Sequence, residues 1–505
     1  MKLKISTALL ALVGSASACY GQSVFGPMVP NTPYAFPLVY DASKFGAVCN
    51  GGVGGSSDDA AINSMLNTAA ASTAYQNNDA IEFAGPQGPS QSGCVINSLN
   101  FTQFNKGNAA NPRPRVQFHG FTLLCTGSKN ICIDGLNADF VDIHDVSLRG
   151  DSAPNSPEIG VQIGVSTTSN SSAWHLFNTL HINGEFSLAA LYNGASENFL
   201  CLGCFLTNAH SADGPIGSLG SITGGAGGTN GTYPGVALTG GHGSGALATV
   251  VVAGNIVSTV TITYEGRDYQ PADVLSAASA SIGNVTGFSV PISTVSPYTL
   301  IMDGQNHWRV ASSFTPVTLP AETWTSFTEN RFFGGSIRQN GAGKAAIWAA
   351  RTEGLVFYGA YLYGGASTPS YCVALFDNGL SKSNIPTGNS SFRIEHTNCE
   401  GGISGSYFIT GANATPVLTG IYLDAPIESA SATRPTFVED TNITGVSMPN
   451  ATLRVDWYTV TASIMFKTPS LYAITGNAFV PAAANWNSPS SFTGQLCTPT
   501  SCVTH

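Results

Sequence analysis

Between positions 303 and 400 the chain carries Asp303, Glu322, Glu329, Glu353, Asp377, Glu395 and Glu400, while charged residues make up only 10% of the whole. Glu329 and Glu353 take the same place in two phrases, Thr-Glu-Asn at 328–330 and Thr-Glu-Gly at 352–354, and Glu395 opens the related phrase Glu-His-Thr-Asn. Two carboxyl groups can split a glycosidic bond when they stand about 5–5.5 Å apart (retaining) or about 6.5–9.5 Å apart (inverting). Stacked strands about 4.8 Å apart, with alternate residues about 6.5–7 Å apart along each strand, bracket both separations. Stacking like charges also raises one carboxyl pKa and so supplies a proton donor. The candidate catalytic residues are therefore Glu329, Glu353, Asp303 and Glu395. The competing role for each is a solvated acid, or a turn acid that holds backbone N–H groups.

Aromatic side chains gather in the same stretch. Trp308, Trp324, Trp348 and Tyr358 offer flat faces to sugar rings, and Arg331 and Arg351 can hold carboxylates of an acidic glycan. Trp308, between His307 and Arg309, reads as a surface residue, whereas Phe332 reads as core. A second acidic patch comprises Asp134, Asp139, Asp142, Asp145 and Asp151, with His144. Asp142 and His144 alternate with Val141 and Ile143, which predicts that both point away from the core. Such a patch suits a calcium ion, or the elimination chemistry of uronates, which needs charge neutralisation and a base. Asp145 and Asp151 are expected to shape turns.

Other constellations are weak. No G-x-S-x-G nucleophile elbow stands between a strand and a helix, and the glycines at 224–228 follow no βα pattern. Cys201 and Cys204 have the spacing of a metal knuckle but lack a second pair. The reading therefore assigns no metal and no cofactor.

The elements that must hold these residues are β-structure. The 505 residues include 57 Gly and 27 Pro with 43% hydrophobic residues, a turn-rich composition that still supplies a core. The net charge of −10, with no basic stripe, argues against nucleic acid. Lys2 and Lys4, an apolar run from Leu9 to Val13 and Ala16-Ser17-Ala18 form a signal-peptide pattern, with Cys19 permitting lipoprotein processing. No later run is long enough to span a membrane. Setting Cys19 aside from the 11 cysteines leaves an even set, as expected for disulfides in an exported chain. Cys125/Cys132, Cys201/Cys204, Cys372/Cys399 and Cys497/Cys502 are close in sequence, but connectivity stays open.

From about Val116 to Asn208 short alternating strands and turns recur with a period of roughly 20–25 residues, a solenoid whose units must stack to bury their apolar faces. The pattern stops near Leu219, resumes at Tyr298 and fades past Ala425. The expected organisation is a signal peptide (1–18), a leader (19–38), a first solenoid part (39–219), an inserted small β module (220–297), a second solenoid part (298–425) and a C-terminal β cap (426–505).

Near the N-terminus Lys44-Phe45-Gly46-Ala47, a Gly-rich loop, Ser57-Asp58-Asp59 and an apolar-periodic run (Ile62, Met65, Leu66, Ala69, Ala70) precede Ala80–Pro86. Ser57 or Asp58 can cap the helix. This run resembles the helical lid of right-handed parallel β-helix proteins of the pectate-lyase-like superfamily. The segments Tyr233–Ala246, Gly266–Tyr269 and Asp273–Ala277 resemble a small β module of phage tail proteins. Together the resemblances imply an all-β, right-handed parallel β-helix with an N-terminal capping helix, and a tailspike-like, commonly homotrimeric protein that binds and cleaves a cell-surface or extracellular polysaccharide. The alternative is a non-catalytic glycan-binding, adhesion or structural β-helix.

Overall fold

The computed structural model describes most of residues 38–376, apart from 52–56, 87–92, 106–114, 166–171, 305–307, 309–328, 351, 353 and 366–370, and beyond them little more than short strands. The signal peptide, most of the leader and Trp324, Arg351 and Glu353 lie outside the described residues.

The chain winds as a right-handed parallel β-helix. Each rung contributes one strand to a 10-stranded, a 9-stranded and an 8-stranded parallel sheet, termed here first, second and third in rung order. Alternate residues of each strand point inward, so like residues stack along the axis. In the first sheet the register aligns Phe83, Phe118, Ile143, Phe177, Cys201, Phe332 and Phe357. All are buried, and the Phe332 and Phe357 rings stack at 4.8 Å.

Among the described residues two corners recur with left-handed backbone. Between the first and second sheets stand Gly120, Asp145, Thr179, Gly203, Gly334 and Gly359, with φ of 70°, 50°, 50°, 58°, 64° and 63°. Just before the first-sheet strands stand Phe140, Trp174, Asn198, Glu329 and Gly354, with φ of 57°, 62°, 52°, 59° and 68°. Asp145 is thus a turn residue, as expected, and its carboxylate accepts a hydrogen bond from Thr179 Oγ1 on the next rung (2.5 Å).

The lid is the helix Asp59–Ala70, whose Ile62, Met65, Leu66 and Ala69 are buried on the open end of the coil. The capping expectation needs correction for Asp58. Its carboxylate accepts from the backbone N–H of Val48 (2.8 Å), Cys49 (3.1 Å) and Val95 (2.9 Å), not from the helix. Ser57 Oγ accepts from Asp59 N instead, and Asp59 holds Asn97 N and Ser98 N. The acidic pair therefore fastens the lid to the first rung, beside the Cys49–Cys94 disulfide. Asp58→Ala should leave three backbone donors without their acceptor. We expect about 3 kcal/mol of lost stability, read as a lower denaturation midpoint, because each buried orphan costs about 1–3 kcal/mol.

Two further disulfides join Cys125 to Cys132 and Cys201 to Cys204, and Cys372 is also disulfide-bonded. Cys201–Cys204 spans a corner of the wall, so these thiols belong to a structural bridge. Disulfides of this kind persist in oxidising compartments. Among the described residues no helix is long and apolar enough to cross a membrane.

The strands between Ile216 and Val295 leave the solenoid and pair antiparallel, with their own core around Val250, Tyr269 and Val290. The solenoid resumes at Tyr298–Asp303, which pairs directly with Ala189–Gly194 of the preceding rung. The outward face of the third sheet is apolar here. Tyr192, Ile301, Trp348 and Ala374 align on it, and Trp308 packs over them.

Candidate active site

The outward face of the first sheet carries two columns of side chains. One reads Glu82, Gln117, Asp142, Leu176, Leu200, Arg331, Val356; the other reads Ala84, His119, His144, Asn178, Leu202, Phe333, Tyr358. The face is ionisable at the lid end, aliphatic in the middle and aromatic towards the other end. Neighbouring members of a column are about 4.8 Å apart, so His144 and Phe333, three steps apart, are separated by about 14 Å.

At the lid end five titratable groups converge. Glu82 Oε1 lies 2.6 Å from His119 Nε2. An ionised carboxylate can only accept, so this contact places the hydrogen on Nε2. Arg115 forms an ion pair with Asp142 and donates from Nε at 2.8 Å. His144 follows His119 in register and is half-buried. Asp142 does face away from the core, but the expectation of an outward acid in solvent is corrected: Arg115 covers it and it is fully buried. Burial pushes the Asp142 carboxyl up to about 6 despite the arginine. The Arg115 side chain is 44% exposed, so water weakens its pull. Burial, Arg115 and His119 together hold His144 below the ordinary histidine value, against a smaller opposing effect of Asp145. His144 is therefore a neutral imidazole near pH 7, beside a half-exposed guanidinium. A neutral base next to a cation can take a proton from a carbon whose neighbouring carboxylate the cation holds.

His119, Glu82 and Arg115 were not among the residues expected from sequence. Their signal is a repeated phrase, strand–His–corner, in Phe118-His119-Gly120 and Ile143-His144-Asp145. The rest of the acidic patch disperses. Asp134 lies on the third sheet and accepts from Leu136 N and Gln162 Nε2; Asp139 is buried and accepts from Ala173 N; Asp151 accepts from Ser152 N. Among the described residues, the group with ligand atoms close enough for a metal is Cys49, Asp58 and Cys94, and its sulfurs are joined in a disulfide.

The glutamate pair takes a different arrangement from the one its phrases suggest. Register places Arg331 beside Val356 and Phe332 beside Phe357, so Glu329 falls beside Gly354, not Glu353. A Cβ on Gly354 would lie 3.5 Å from Glu329 N. Glu329 is exposed in the left-handed corner, 3.7 Å from Arg331. Arg331 and Tyr358 do lie on the first-sheet face, Tyr358 41% exposed, and Glu395 occupies the register position beside Tyr358. Asp303 is fully buried, where it accepts from Tyr192 OH (3.1 Å) and Trp308 N (2.7 Å). Trp308 and Trp348 are fully buried against each other with centroids 5.6 Å apart. The surface expectation for Trp308 is thus corrected: Tyr264 of the inserted strands packs at 6.1 Å and closes over it.

One look-alike is excluded by its hydrogen bonds. Ser172 Oγ lies 3.0 Å from His175 Nε2, the geometry of a nucleophile and its base. Val141 N, however, donates to His175 Nδ1 (3.4 Å), so the ring hydrogen sits on Nε2 and points at the serine. Burial lowers His175 to about 4, so it stays neutral and holds the wall together.

No protein-family model and no curated protein sequence matches the chain. Among solved structures it is similar to a surface adhesin of Streptococcus pneumoniae, at 9% identity over 92% of this chain and 88% of that one, with a TM-score of 0.35. It is also similar to the A-module of mannuronan C-5 epimerase AlgE4 of Azotobacter vinelandii, at 10% identity over 85% and 98%, with a TM-score of 0.23. The AlgE6 A-module gives 11% identity over 91% and 99%, with a TM-score of 0.25. At these scores the likenesses carry no argument about function.

Proposed function

We propose that this chain is an exported β-helix protein that binds a cell-surface or extracellular polysaccharide along the outward face of its first sheet and cleaves it by β-elimination at a uronate. One observation carries this reading: a neutral, half-buried His144 stands beside Arg115 and the Glu82–His119 pair on an open face. Arg115 would hold the sugar carboxylate through the guanidinium N–H groups that it does not give to Asp142, and Glu82 would fix the His119 ring beside it. His144 would take the proton from the carbon next to that carboxylate. The electron pair forms a carbon–carbon double bond as the glycosidic oxygen leaves with its bond electrons and takes a proton from water. Asp142, which is shielded from substrate, is a positioning residue that orients Arg115. Arg331, Phe333 and Tyr358 would bind the glycan downstream.

The hydrolytic alternative uses Glu329 with Glu353 or Glu395, of which Glu395 holds the register position beside the exposed Tyr358. A homotrimeric tailspike type of assembly and an extracellular location belong to this proposal through the leader pattern and the module resemblance. The purified mature chain should be offered uronans, bacterial capsules and O-chains, following new reducing ends and the ultraviolet absorbance of unsaturated uronates. Both signals together are expected. Reducing ends without absorbance would move the chemistry to the glutamates. Binding without cleavage would make the chain an adhesin.

A further inference from the structure

The outward face of the second sheet lies around the corner from this cluster and has a different character. One column reads Thr122, Ser147, His181, Phe205, Ser336, Tyr361. From the rung of Arg149 onward the other carries Arg338 and Tyr363, with Asn183 and Thr207 between. No carboxylate stands in these positions, although the chain as a whole has a net charge of −10. The next register position is Glu400, which bounds the strip. Among the described residues neither Arg149 nor Arg338 is in an ion pair. The Arg338 guanidinium carbon lies over the Tyr361 ring, 4.7 Å from its centroid. Phe205 is 44% exposed, with the His181 ring 4.7 Å away.

The corner beside this strip changes with it. Asp145 and Thr179 adopt the left-handed turn on earlier rungs, so the turn alone does not require glycine. Gly203, Gly334 and Gly359 take over where the aromatic residues begin, and a Cβ on any of them would meet nothing within 4 Å. Their glycines leave a bare ridge between Phe205 and Tyr361 on one side and Phe333 and Tyr358 on the other. A side chain there would stand between the two aromatic rows.

We propose that the second-sheet face and its glycine corner bind a chain of an anionic polysaccharide, independently of the acid–base cluster. Charge complementarity selects an anion. Arg149 and Arg338 are three rungs apart, about 14 Å, on an open face. Each exposed contact is weak alone, so the ligand must repeat its anionic group to gain by multivalency. Flat rings favour pyranose faces. Three cationic or cation-capable side chains are too few for the counterion release on which nucleic-acid binding depends.

The test is retention of the full chain in affinity electrophoresis through polygalacturonate and alginate gels, at low and high salt, against dextran and single-stranded DNA. Retention is expected on both uronans, weakened by salt, with none on dextran. The double variant Phe205→Ala/Arg338→Ala should lower uronan affinity about ten-fold. Asn183→Glu, a single exposed change that introduces an acid into the strip, should act in the same direction if the double variant folds poorly. Asn183→Glu should leave the unsaturated-uronate signal from short oligouronates unchanged while lowering retention on the polymer, which separates this proposal from the elimination reading. Unchanged uronan retention in Asn183→Glu, equal retention on dextran, or tighter retention on DNA would overturn it. A changed oligomeric state of Asn183→Glu by light scattering would also overturn it, by making the face an interface between copies.

Discussion

Replacement of His144 by Gln should lower turnover of a uronan about 10²–10⁴-fold, the range that a positioned general base supplies, while leaving substrate binding largely intact. The geometry behind this is narrow. His144 is half-buried, follows His119 in the same column, and sits beside the guanidinium that covers Asp142. Its pKa is held down by burial and by two neighbouring cation-capable groups. The acid limb of the rate profile should therefore fall below the ordinary histidine range and vanish in the variant. An unchanged rate in His144→Gln would remove the base assignment. Asp142 gives a second readout. Its folded pKa of about 6 exceeds the ordinary aspartate value of 3.8, so the protonated form is the one the fold favours. That stabilisation is full below the unfolded value and is lost as pH rises towards the folded one. Stability should decline between about pH 4 and 6, and Asp142→Asn, a neutral mimic, should flatten the decline in a denaturation series.

How much of this was legible in the sequence depended on whether the signal was local. The lid helix followed from apolar spacing, and Ile62, Met65, Leu66 and Ala69 are all buried. Gly-bearing corners and Asp145 could be read as turns, but not that Thr179, Asn198 and Glu329, or even Phe140 and Trp174, share the left-handed backbone, because no local signal marks a non-glycine residue for that geometry. Aligning the phrases Thr-Glu-Asn and Thr-Glu-Gly by identity placed glutamate over glutamate. The hydrogen-bond register instead follows the inward aromatics, Phe332 on Phe357, and shifts the pair by one residue. His119 and Glu82 lie far apart in sequence and meet through the parallel register. Trp308 misled because its neighbours His307 and Arg309 are polar, whereas its burial comes from strands that precede it in the chain. Solenoid walls are readable along one strand; what covers them from outside is not.

That covering yields the largest expected effect on stability. Arg267, in the inserted segment, is 7% exposed and donates to Glu158 of the solenoid and to the carbonyl of Trp308. Trp308 N donates in turn to Asp303, which also holds Tyr192 OH on the third sheet. Lys129 reaches Asp268 at 2.8 Å on the rim of the same junction. Burial raises the Glu158 carboxyl, against the opposing pull of Arg267, so the acid depends on its partner to stay charged. Arg267→Met should leave a buried carboxylate without compensation and cost about 3–5 kcal/mol. The cost should shrink at low pH, where Glu158 protonates, and the double variant Glu158→Leu/Arg267→Met should recover much of it, because an apolar pair carries no desolvation penalty. Denaturation midpoints of the two variants at neutral and acid pH give the answer. A loss below about 1 kcal/mol in Arg267→Met would place the pair among surface ion pairs and leave the attachment of the inserted strands to apolar packing around Trp308, Tyr264 and Trp348.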